Sequence, residues 1–182
     1  MEYTNERINK ESEAESLGYF LEAYETIIGE SFIGVKSSER PDFIATRKDG
    51  SQIGIELSKI RRGHPNDVLH DKIFEKKDYM SAYDALCMIR RVAYEKEIKR
   101  TSPGWSLPNT TILLLELTDI PLSELRHSIL PDFLPDLYET GFAEIWLVDL
   151  TGVEAYDNVE LFCVYPEELE GYYPRGIQKP YG

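Results

Sequence analysis

The chain has 182 residues, 42% of them hydrophobic and 29% charged, enough for one domain with a sizeable core and short for two. No apolar run approaches the roughly 20 residues of a membrane helix, and the polar, acidic start "MEYTNERINKESEAES" is unlike a secretory signal. Cys87 and Cys163 form no CxxC pair, so neither a disulfide framework nor a structural zinc is expected; together these features suggest a reducing cytoplasm and no membrane partner.

The net charge of −13 speaks against nucleic acid until its distribution is read. Residues 1–46 sum to −6, residues 101–182 to −11, and residues 47–100 to +4, because 13 of the 20 Lys and Arg residues lie in that middle segment. Phosphate binding depends on local basic density, not on the chain total. A solvated helix face accounts for the same pattern equally well.

In chain order, residues 11–28 carry Leu17, Phe20, Leu21, Tyr24, Ile27 and Ile28 at helical spacing, with Gly29 as a stop. Residues 31–35 predict a short strand. Residues 41–47 and 52–58 predict two more around "RKDGS", where Asp49-Gly50 signals a hairpin. A loop with Gly63 and Pro65 follows, then a helical region over about 68–100, interrupted once at most, then the linker "TSPGWSLPN". The continuous apolar run "TTILLLEL" at 110–117 suits a strand buried on both faces. A helix over 122–140 broken by Pro131 and Pro135, a buried strand over 143–150 and an edge-like strand over 159–165 complete the order. The tail "EGYYPRGIQKPYG" reads as turns over the sheet edge, with Pro174 and Pro180 preventing further pairing. This order predicts an α/β fold, a mixed central sheet flanked by helices.

Two carboxylates stand out within the hairpin. Alternation along "QIGIELSKI" puts Ile53, Ile55, Leu57 and Lys59 on one face, and Gly54, Glu56, Ser58 and Ile60 on the other. Glu56 therefore projects from an otherwise apolar strand, where a lone buried carboxylate is costly unless paired or metal-bound. Asp42 opens the partner strand after Pro41, and a twisted hairpin can bring the two acids together. Two converging carboxylates repel each other, a divalent cation relieves that repulsion, and oxygen ligands favour Mg²⁺ or Mn²⁺ over zinc. Singly, each acid has an ordinary reading: Asp42 caps a turn, and Glu56 pairs with an arginine. His64, His70 and His127 form no HExxH pattern, and Ser31, Ser58 and Ser106 lack a GxSxG setting.

"RPDF" and "GIELSKI", 14 residues apart between their acids, together with the element order, resemble the PD-(D/E)xK phosphodiesterase superfamily, the restriction-endonuclease-like fold. The resemblance covers about residues 11–117 as an α-β-β-β-α-β core, with 118–182 as a C-terminal extension of one domain. It implies metal-assisted phosphodiester hydrolysis on nucleic acid, DNA before RNA, with Asp42 and Glu56 holding Mg²⁺ or Mn²⁺ and the Leu57 carbonyl as a further ligand. Many nucleases of this fold act as homodimers, though no stretch of this sequence marks an interface.

The family's lysine belongs two residues after the second acid, and that position is Ser58. Three alternatives follow. Lys59 reaches the site through a bulge; Lys96, at the edge of the Leu86, Ile89 and Ala93 stripe, takes its place from the following helix; or the site is inactive. The resemblance also implies a glutamate from the first helix, for which Glu13, four residues before Leu17, is the candidate. Arg61, Arg62, Lys72, Lys76 and Lys77 would neutralise backbone phosphates. The competing reading is a catalytically inactive binding protein of the same fold, with an immunity or regulatory role, whose acidic surface suits a basic protein partner.

Overall fold

The computed structural model describes residues 2–62, 79–129, 133–153 and 158–175, with side chains from Lys10 to Pro174 within those ranges. The elements are α1 (Glu2–Ile28), β1 (Phe32–Ser37), β2 (Phe43–Arg47), β3 (Gln52–Ile60), α2 (Ala82–Arg100), β4 (Thr111–Leu117), α3 (Leu122–Leu125), α4 (Pro135–Tyr138), β5 (Glu144–Asp149), β6 (Val159–Tyr165) and β7 (Gly171–Arg175). The fold is α/β. Seven strands lie side by side in chain order, with β3, β4 and β5 parallel and the outer pairs antiparallel. No helix among the described residues is long and apolar enough to cross a membrane.

Burial explains the layering. Every residue of β4, "TILLLEL", and of β5, "EIWLVD", is buried, as expected of parallel strands covered on both faces. One face packs Ile53, Ile55, Ile112, Leu114 and Trp146 against Leu17, Phe20, Ala23 and Tyr24 of α1. The other packs Ile60, Leu113, Leu115 and Ile145 against Ala85, Ile89 and Ala93 of α2, with α3 and α4 beside it. Helix α1 stops at Gly29, whose φ of 78° carries no Cβ penalty. Ser81 caps α2, its hydroxyl accepting the Asp84 N–H at 3.1 Å. At the hairpin, Gly50 has φ 85° and Asp49 Oδ1 accepts the Ser51 N–H at 2.8 Å.

Three expectations are corrected. The helix expected over 68–100 begins, among the described residues, only at Ala82: Tyr79 and Met80 are not helical, and the earlier part lies outside the described residues. The helix expected over 122–140, broken by Pro131 and Pro135, is shorter still: among the described residues it is two single turns, α3 and α4, with a 3₁₀ turn at Arg126–Ser128 and Pro135 opening α4. The tail does pair. Strand β7 adds to β6 with Pro174 opposite Glu160, so β6 is not the edge. A proline is tolerated on an outermost strand, where its missing N–H can face away from the ladder.

Candidate active site

The register of β2 and β3 builds the site. Phe43 lies opposite Ile55 and Ile44 opposite Gly54, which brings Asp42, one residue before β2, to Glu56. Each acid is held by the other strand's backbone. The Asp42 N–H donates to Glu56 Oε2 at 3.2 Å, and the Leu57 N–H donates to Asp42 Oδ2 at 2.9 Å. Strand β2 starts there, whereas β3 runs on to Ile60 beside β4. From Leu57 onward β3 therefore has no strand on its β2 side among the described residues, and the two acids sit at the corner of this notch.

The Pro41 ring reaches the corner only because residue 54 is glycine. A Cβ on Gly54 would stand 2.6 Å from Pro41 Cγ and 2.7 Å from Thr111 Oγ1. From the far side, the Ser106 N–H donates to the Arg40 carbonyl at 2.9 Å, so the linker after α2 also fixes this segment. Gly54→Ala is expected to destabilise the fold by about 1–3 kcal/mol through overpacking and to displace Asp42. Chemical denaturation and a weakened metal response would report the two effects; a variant of unchanged stability would show that the contact yields freely.

The helix supplies the cation. Lys96, on the α2 face with Ile89 and Ala93, donates from its ammonium to Glu56 Oε1 and lies 3.4 Å from the Leu57 carbonyl. Glu56 is only 4% exposed. Burial raises its carboxyl pKa most strongly and Asp42 adds to that, while Lys96 and the Asp42 N–H pull it down. The Glu13 carboxyl on α1 is also raised, first by burial and then by Asp42, with Lys59, Lys96 and Lys10 opposing. Glu13, Asp42, Lys59 and Lys96 thus share one electrostatic neighbourhood.

Lys59 points to the α1 face, opposite Glu56. Its ammonium donates to Ser12 Oγ at 3.1 Å and lies 3.8 Å from Glu116 Oε1. No bulge interrupts β3 against β4 over Gly54–Ile60, so the bulge that would bring Lys59 to the Glu56 face is not there. Arg61 is exposed. Arg62 is tied to Asp119 through its backbone N–H and a 3.7 Å side-chain ion pair. It borders a groove of about 560 Å³ with Tyr79, Ser81, Asp84 and Arg91. Lys72, Lys76 and Lys77, like His64 and His70, lie outside the described residues.

Among the described residues, no three His, Cys, Asp or Glu side chains are grouped so as to hold a metal ion. The donors at the notch are two carboxylates and the Leu57 carbonyl, all hard oxygens. That set fits a Mg²⁺ or Mn²⁺ ion that keeps several waters, and the Lys96 ammonium now rests on two of the three. Sequence reasoning did not single out Ser12 or Glu116. A lone charge in "TILLLEL" was the available signal, but its pairing with Lys59 needs the parallel register. A search against models of known protein families finds no match, and no curated protein matches this chain in sequence.

Proposed function

We propose that the chain is a metal-dependent phosphodiesterase acting on nucleic acid, DNA before RNA, with a restriction-endonuclease-like core of the PD-(D/E)xK type. The observation carrying this reading is the meeting of Asp42, Glu56 and the Lys96 ammonium at the open corner between β2 and β3. Asp42, Glu56 and the Leu57 carbonyl would hold Mg²⁺ or Mn²⁺, which when bound supplies a lowered water pKa and stabilises developing phosphate charge. Lys96, in contact with Glu56 and the Leu57 carbonyl, would take the part of the family's missing lysine. Its ammonium can orient the attacking water and donate to the phosphoryl oxygen as negative charge grows. Glu13, with its raised pKa, is suited to hold a proton near Asp42. Arg61 and the basic residues after it would contact backbone phosphates without reading sequence.

Melting temperature with and without Mn²⁺ tests the site. Saturation at a hundred times Kd stabilises by about 2.7 kcal/mol, or roughly 5–10 °C for a chain of this size. Asp42→Ala and Glu56→Ala are each expected to remove the shift and, together with it, cleavage of plasmid or single-stranded DNA. An unchanged shift in both variants would remove the acid pair from the proposal.

A second reading has its own observation. The Lys96 ammonium already satisfies Glu56, and residues 101–182 are strongly acidic. An inactive protein of the same fold would use that acidic surface for a basic protein partner, in an immunity or regulatory role. It would show no metal shift and no cleavage.

A further inference from the structure

Among the described residues, β3 beyond Leu57 is flanked by β4 alone, and its side chains alternate between the α1 and α2 faces. Lys96 and Glu56 approach from the α2 face. From the α1 face comes Lys59, with its side chain about 30% exposed. One of its three donors is spent on Ser12 Oγ at 3.1 Å. It faces Glu116 directly across the β3–β4 ladder, at 3.8 Å.

Glu116 is the anomaly. It is the one charged residue of a strand buried at all seven positions, its side chain is only 10% exposed, and its Oε2 makes no hydrogen bond to any described residue. A leucine there would continue the apolar layer. A half-satisfied buried carboxylate is unfavourable for folding, and what Glu116 does have is Lys59 beside it.

We propose that Lys59 is a second phosphate-contacting cation of the nucleic-acid path, and that Glu116 is the positioning residue that holds it on the α1 face. This rests on the nuclease reading. Lys96 lies on the α2 face with Glu56 and Lys59 on the α1 face beside Ser12, so a nucleic-acid backbone passing the end of β3 would meet an ammonium from each face. The electrostatics of Glu13 agree: Asp42 raises its pKa, whereas Lys59 and then Lys96 lower it. Ser12, next to Glu13 on α1, fixes the ammonium's direction while leaving donors for a phosphate oxygen.

The test is binding of a fluorescent DNA duplex in Ca²⁺ across a salt series, beside the Mn²⁺ melting shift. Lys59→Ala is expected to weaken binding about fivefold and to reduce the log–log salt slope by about 0.9, the loss of one phosphate contact. The Mn²⁺ shift should be untouched. Lys59→Arg keeps the slope. Glu116→Gln leaves the Lys59 ammonium in place and hence the slope, but lowers affinity by freeing that ammonium's direction, as expected of a residue acting through another. If Lys59→Ala melts too low to measure, the paired variant Lys59→Ala with Glu116→Gln removes the orphaned acid and gives the same reading. A wild-type slope and affinity in Lys59→Ala would overturn the proposal while the nuclease reading stands. Absence of any DNA binding by the wild-type chain would overturn both.

Discussion

Replacing Lys96 with alanine is expected to lower the melting temperature in metal-free buffer at pH 7, to abolish cleavage, and to enlarge the stabilisation by Mn²⁺. The ammonium and Glu56 are both largely buried, with side chains 16% and 6% exposed. Removing one partner leaves a desolvated carboxylate beside Asp42, a change that costs about 3 kcal/mol in comparable buried pairs, or roughly 6–12 °C here. A divalent ion then has no ammonium to compete with at Glu56 Oε1 and the Leu57 carbonyl, so its gain in stability grows as activity disappears. The defect should shrink as pH falls through the Glu56 pKa, because protonation removes the unpaired charge. Lys96→Met combined with Glu56→Gln should recover most of the lost stability but none of the cleavage. A Lys96→Ala protein that melts like wild type would mean that the ion pair is solvent-weakened, and Lys96 would lose its place in the site.

The second large effect is an inverted pH dependence of folding. The carboxyls of Glu13, Glu56 and Glu144 all have pKa values raised above 4.5, burial being the largest cause in each. A carboxyl with a higher pKa in the fold than in the unfolded chain binds more protons when folded. Its contribution is full below the unfolded value and is lost as pH rises through the folded one. Stability should therefore be greater near pH 5 than at pH 8, with each group contributing at most about 1.4 kcal/mol per pH unit while it titrates. Repulsion within a chain of net charge −13 acts in the same direction and is screened by salt. Glu144 isolates the burial effect. It accepts from Tyr24 Oη at 3.0 Å and from Trp146 Nε1 at 2.7 Å in the α1-side core. Glu144→Gln should flatten the slope at any salt. It should also carry a pH-independent loss of about 1 kcal/mol, since Tyr24 and Trp146 donate to different carboxylate oxygens and an amide keeps only one of them. Urea midpoints across that pH range, in low and high salt, decide the matter. Stability that rises from pH 5 to pH 8 would refute the assignment.

Much of the architecture was legible in linear order. The buried runs at 110–117 and 143–150 became β4 and β5 because unbroken apolar stretches of that length suit strands covered on both faces. Asp49-Gly50 marked the hairpin, and with it the antiparallel register that sets Asp42 against Glu56. The spacing of Ile89, Ala93 and Lys96 already placed an ammonium at the edge of a buried helical stripe. These are local properties, governed by side-chain period and turn conformation, and a single sequence displays them. The prolines misled where context overrides them: Pro174 rides on an outer strand that needs no second partner.

What only the tertiary structure decided is which charges meet. With Ser58 at the family's lysine position, the sequence left three alternatives: Lys59 through a bulge, Lys96 from the following helix, or an inactive site. The packing of α2 over β3 seats Lys96 on Glu56, and an unbulged parallel ladder turns Lys59 toward Ser12 and Glu116. Glu116 lies 57 positions after Lys59 in the chain, and nothing periodic joins them. Contacts across such distances arise from strand pairing and layer packing, which fold the chain onto itself in ways that neighbouring residues do not encode.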